Sequence, residues 1–124
     1  MYNYAVFRAI LPPEAQLEEP PTLGHFAMNV VVHPNTVLGR NVRIWHGVTI
    51  AVSDSPGGRS SVRIGDDVMI GTGTVIISRE QEDLIICAGV KIGSNSTVTR
   101  SITTPGNYSG NPAKLHVRTG SENT

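Results

Sequence analysis

Leu38-Gly39-Arg40-Asn41-Val42-Arg43-Ile44-Trp45-His46-Gly47-Val48-Thr49-Ile50 carries the period on which the fold turns. Aliphatic residues stand six apart at Leu38, Ile44 and Ile50, and a branched residue stands four after each of the first two, at Val42 and Val48. A six-residue spacing matches neither the 3.6-residue turn of a helix nor the two-residue alternation of a long strand. It matches short strands separated by corners.

The register extends in both directions. It reaches back to Val32, resumes at Ile64, Ile70 and Ile76, and resumes again at Ile86, Ile92 and Val98, giving ten rungs. The position four after a rung is again small or branched at Thr36, Val68, Thr74, Val90 and Ser96, and a glycine follows the rung directly at Gly39, Gly65, Gly71 and Gly93. If each hexad makes one flat face and one bend, three hexads close a triangular coil. Its rungs stack inward, its backbone pairs with the coils above and below, and each coil templates the next. A sandwich or barrel of short strands would share the composition but would not hold a hexad register. The expected class is all-β, a parallel β-helix.

The spacing breaks twice, with fourteen residues from Ile50 to Ile64 and ten from Ile76 to Ile86, so the extra residues should loop out at corners. The first excursion contains Ser53-Asp54-Ser55-Pro56-Gly57-Gly58-Arg59-Ser60-Ser61, a polar loop of the kind on which solenoids place function. The second, Ser78-Arg79-Glu80-Gln81-Glu82-Asp83, reads as a solvated corner. Residues 1–23 form an irregular N-terminal arm, punctuated by Pro12, Pro13, Pro20 and Pro21, with a short helix around Tyr4 to Ile10. The β-helix is expected over 24–103, and a tail over 104–124 opens with the turn chemistry of Thr103-Thr104-Pro105-Gly106-Asn107.

Bulk properties narrow the function. At 124 residues the chain makes one domain, and ten rungs give so slim a core that an oligomer is the natural remedy. Ten basic residues balance ten acidic ones with no basic stripe, which excludes a nucleic-acid binder. No apolar run is of membrane-spanning length and the start lacks a secretory signal, so a soluble cytoplasmic protein is expected. Cys87 is the single cysteine, which argues against a disulfide framework or a cysteine-based metal site, and it reads as packing. Asp66-Asp67 reads as a solvated corner, and no metal site is expected.

Three segments resemble the hexapeptide-repeat acyltransferases, in particular the serine O-acetyltransferases and the related O-acetyltransferases of polysaccharide gene clusters. They are the stretch 39–50 with its His46-Gly47-Val48-Thr49 core, the loop with its Gly57-Gly58 pair, and Gly93 to Arg100 followed by Gly110-Asn111-Pro112-Ala113-Lys114. The resemblance covers roughly residues 23 to 117. It implies a left-handed coil, against the usual right-handed crossover, and a homotrimer with acetyl-CoA lying between neighbouring subunits. It also implies acetyl transfer to a small hydroxyl acceptor, L-serine or a sugar.

That chemistry needs a base for the hydroxyl proton and a donor for the oxyanion, and histidine suits the base. The resemblance places the catalytic histidine at His25, one coil before the His46 segment. A second alignment, taking His33-Pro34 as the family's early His-Pro element, makes His46 the base instead; otherwise His46 binds the acceptor. His33 reads as a turn residue and His116 as solvated. For acetyl-CoA the resemblance points to Gly71, Thr72 and Gly73 by close backbone approach, and to Thr99 and Arg100 near the phosphates. Each glycine reads equally as a corner. The chain departs from the serine-specific pattern in having Gly24 before His25, Val31 where an Asp is usual, and Ser61 where a second loop histidine is usual. Those departures keep open a rival class, a non-catalytic solenoid that scaffolds or binds a partner, and a rival acceptor, a saccharide hydroxyl or amino-sugar nitrogen.

Overall fold

The architecture is that of a computed structural model, which describes residues 16–18, 22–23, 29–53 and 59–116. Among these the chain runs through β1 (Gln16–Leu17), β2 (Thr22–Leu23), β3 (Val31–Val32), β4 (Thr36–Leu38), β5 (Arg43–Ile44), β6 (Thr49–Val52) and β7 (Ser61–Ile64). It continues through β8 (Met69–Ile70), β9 (Val75–Ser78), β10 (Asp83–Ile86), β11 (Val90–Ile92), β12 (Thr97–Val98), β13 (Gly106–Ser109) and β14 (Lys114–Leu115). Through β12, every third strand joins the same sheet. The first sheet is β1-β4-β7-β10, the second is β2-β5-β8-β11-β13-β14, and the third is β3-β6-β9-β12. All these pairings are parallel except the last, β13 with β14. The coil drawn from the hexads is therefore the observed one.

The ten rungs form one core with Val42, Val48, Val68, Val90 and Ile102, each four after a rung. Leu38, Ile44, Ile70, Ile76, Ile86 and Ile92 are fully buried, and so are Val42, Val48, Val68 and Val90. Register stacks like on like, Ile44 on Ile70 on Ile92 in the second sheet and Ile50 on Ile76 in the third. Branched side chains suit this stacking because they lose little rotamer freedom on a pleated surface. Both breaks in the period fall between a strand of the third sheet and the next strand of the first, after β6 and after β9. Arg79, Glu80, Gln81 and Glu82 are exposed there, as a solvated corner should be.

Two features differ from the sequence expectation. The arm is not irregular throughout, since Gln16–Leu17 pairs with Val37–Leu38 and Thr22–Leu23 with Arg43–Ile44. The tail expected from residue 104 still supplies β13, which stacks on β11 before the chain reverses into β14. The helix expected around Tyr4 to Ile10 lies outside the described residues. Cys87 is half-buried against the core.

The remaining two corner rows share one device. Asn41, Gly47, Asp67, Gly73, Gly89 and Asn95 each stand three residues before a rung and hold positive φ. Asn and Asp tolerate this left-handed region through short polar side chains, and glycine through having none. Asn41 also donates its Nδ2 to Asp67 Oδ1 at 2.8 Å, and Asp66 Oδ1 accepts from Arg40 N at 2.8 Å, so the acidic pair ties one corner to the next. Asn95, at φ 58°, gives a test: Asn95→Val should lose about 2 kcal/mol in urea denaturation, because a β-branched residue is strained there, while Asn95→Gly should stay within about 1 kcal/mol of the parent.

Candidate functional site

The corner row between the second and third sheets stacks Trp45-His46-Gly47, Gly71-Thr72-Gly73 and Gly93-Ser94-Asn95. Backbone bonds lock the stack: Gly73 N donates to His46 O at 3.1 Å and Asn95 N to Thr72 O at 2.7 Å. Within it His46 is half-buried, and its Nδ1 makes a long contact of 3.5 Å with Thr72 Oγ1. Either partner can donate across that contact, the hydroxyl to a bare Nδ1 or an Nδ1–H to the hydroxyl. Two candidates named from sequence, His46 and Thr72, are thus brought together.

Coil stacking accounts for both glycines of this segment. A Cβ at Gly71 would lie 2.7 Å from Ser94 N and 2.8 Å from Ile92 O. Gly73 sits at φ 72°, and its Cβ would run into the side chain of Asn95. Thr99 and Arg100 fall elsewhere, at the third-to-first corner just after β12, with Thr99 half-buried and Arg100 exposed. The cofactor candidates therefore occupy opposite ends of the third sheet, roughly 13 Å apart for a four-residue strand.

His25 lies outside the described residues. In sequence it stands two past Leu23, and Leu23 pairs with Ile44, which His46 likewise follows by two. His33 accepts a hydrogen bond at Nδ1 from Asn35 N at 3.0 Å, the turn role expected of it. His116 is exposed, with its Nε2 against Ser109 Oγ. Among the described residues no cluster of His, Cys, Asp or Glu could hold a metal ion. No described helix is long and apolar enough to cross a membrane. Arg63 was not singled out from sequence, yet it follows Arg59 and Ser61 of the polar loop at the same alternation and lines a groove with them, Asn35 and Asp83. The two-residue spacing is the signal that would have found it.

No family model matches the chain. It is 35% identical over 103 residues to the mitochondrial serine acetyltransferase 3 of Arabidopsis thaliana, covering 83% of this chain and 25% of that protein. It is 31% identical over 103 residues to the serine acetyltransferase of Staphylococcus xylosus, covering 83% of this chain and 45% of that protein. Among solved structures it superposes with a TM-score of 0.74 and 35% identity on the Neisseria gonorrhoeae serine acetyltransferase in complex with serine, over 90% of this chain and 43% of that one. The Brucella abortus serine acetyltransferase in complex with coenzyme A gives a TM-score of 0.76 at 29% identity, over 94% of this chain and 45% of that one. The chain spans between a quarter and a half of the length of these relatives. The neighbours are left-handed β-helix proteins, which gives the coil its hand. The chain belongs to the hexapeptide-repeat acyltransferase family and is serine O-acetyltransferase-like.

Proposed function

We propose that this solenoid is the catalytic domain of an acetyl-CoA-dependent O-acetyltransferase that acts on a small hydroxyl compound, L-serine or a sugar, as a homotrimer. The likeness to serine acetyltransferases carries the reading, with 35% identity and a TM-score of 0.74 over 90% of the chain. Relatives solved with serine and with coenzyme A supply the two substrate classes.

In this reading His25 is the general base. Its imidazole takes the proton as the acceptor oxygen attacks the thioester carbonyl. Collapse of the tetrahedral intermediate expels the thiolate of coenzyme A, which recovers a proton from the imidazolium. His46, held beside Thr72, binds or orients the acceptor, and becomes the base if the second alignment is the right one. Acetyl-CoA runs along the third sheet from the Gly71-Thr72-Gly73 corner toward Thr99 and Arg100. A trimer suits the outward residues of that sheet, since Val31 is 39% exposed and Ala51, Val75 and Ile77 are apolar and half-buried.

Titration of acetyl-CoA into the purified protein by calorimetry, with the mass of the assembly measured on the same sample, tests the proposal. Saturable binding to a trimer is the expected result. A folded trimer that binds no acetyl-CoA would instead favour the scaffold reading, which the glycine before His25 and Ser61 in the loop also suit.

A further inference from the structure

A groove of about 300 Å³ opens on the outer side of the first sheet, where the third-to-first corner delivers the chain into β7. Strand alternation builds it. Ser60, Val62 and Ile64 point inward and are buried, so Arg59, Ser61 and Arg63 project outward from one strand edge to the next. Parallel register sets Asp83 beside Ser61 and Val37 beside Arg63.

The floor of the groove is already bonded. Ser61 Oγ donates to Asp83 Oδ1 at 2.6 Å, and Asn35 Nδ2 donates to Ser60 O at 3.3 Å. The arginines of the lining are left over. Arg59 and Arg63 are exposed, and neither forms an ion pair among the described residues. Asp83, the one carboxylate among the lining residues, accepts from Ser61, so two guanidiniums stand against a single carboxylate and the concave site attracts an anion.

We propose that this groove binds a phosphoryl or diphosphoryl group, with Arg59 and Arg63 holding its oxygens from opposite ends. Four residues of extended chain separate the two arginines by roughly 13 Å at Cα, with Ser61 between them. Side chains closing from both ends meet oxygens on two sides, which a tetrahedral phosphoryl group presents. A planar carboxylate is satisfied by one bidentate guanidinium and leaves the second unused. The transferase reading enters only in naming where the phosphoryl group comes from: acetyl-CoA itself or a phosphorylated hydroxyl acceptor.

The test is calorimetric titration of inorganic pyrophosphate at low ionic strength into the wild-type protein, Arg59→Gln, Arg63→Gln and the double variant. Both side chains lie outside the core, so the variants should keep the wild-type circular dichroism. The expected result is saturable binding that weakens at least tenfold in each single variant, disappears in the double variant, and is not matched by acetate. Coenzyme A, and glucose 1-phosphate against glucose, then identify the source as the one whose affinity falls tenfold in Arg63→Gln. No pyrophosphate binding, binding unchanged in the double variant, or acetate binding as tight as pyrophosphate overturns the proposal. A protein that binds no acetyl-CoA still reports on pyrophosphate, so failure of the transferase reading stays separate from failure of this one.

Discussion

His25→Ala should lower turnover by a factor of about 10² to 10⁴, the usual span for a positioned general base, while leaving acetyl-CoA affinity and the circular dichroism of the solenoid unchanged. The split between rate and affinity follows from where the proton sits. Acetyl-CoA carries no proton that the base must remove to bind, so the imidazole matters only when the acceptor hydroxyl attacks. Release of the coenzyme A thiol, followed colorimetrically with L-serine and with a panel of sugars, reads the effect. His46→Ala is the partner experiment. If His25 is the base, His46→Ala should act mainly on acceptor KM, because a residue that orients the acceptor contributes to binding before the chemical step. The opposite pattern, with turnover collapsing in His46→Ala and surviving in His25→Ala, would falsify the assignment of His25 and transfer the role to the imidazole beside Thr72.

Ile70→Ala should destabilise the protein by about 3 kcal/mol, within the roughly 2–5 kcal/mol seen when a buried aliphatic is cut to alanine. Ile70 is fully buried and stacked in register between Ile44 below and Ile92 above. The cavity left by its truncation has rungs on both axial sides and the other two sheets across the prism. Little can collapse into it without breaking the parallel register. Ile85→Ala is the control: that side chain belongs to the outward set of β10 and is 46% exposed, so its truncation should cost less than about 1 kcal/mol. Urea denaturation of both variants checks the contrast. Equal losses at the two positions would mean that Ile85 is covered in solution, as it would be beneath a neighbouring subunit.

The hexad register made the core legible. Val32, Leu38, Ile44, Ile50 and the rungs that follow are all buried, and both breaks in the spacing fall where the chain leaves the third sheet for the first. Other features did not announce themselves. β1 and β2 are two residues long, and although Leu17 and Leu23 stand six apart, their partners Leu38 and Ile44 lie twenty-one residues on, not a multiple of six, so the pair falls out of register with the later rungs. Positive φ three residues before a rung was visible in principle, because Asn41, Asp67 and Asn95 hold that place in turn. The candidate site was less legible for a chemical reason. Glycines at a corner serve coil stacking and close ligand approach equally well by sequence, and at Gly71 and Gly73 the neighbouring coil alone is reason enough for them. The alternation that sets Arg63 on the same side as Arg59 of the polar loop appears only once β7 is known to begin at Ser61.

A stack in which each coil templates the next carries an inherent hazard: its last rung is a template too. The antiparallel turn of β14 back along β13, with Tyr108 opposite Leu115, spends the open edge of the second sheet on the chain's own tail. A second molecule arriving end-on meets a strand running the wrong way for coaxial addition and, on it, the charged side chain of Lys114. The hairpin thereby limits the solenoid to finite length and keeps a self-complementary fold from growing into fibres.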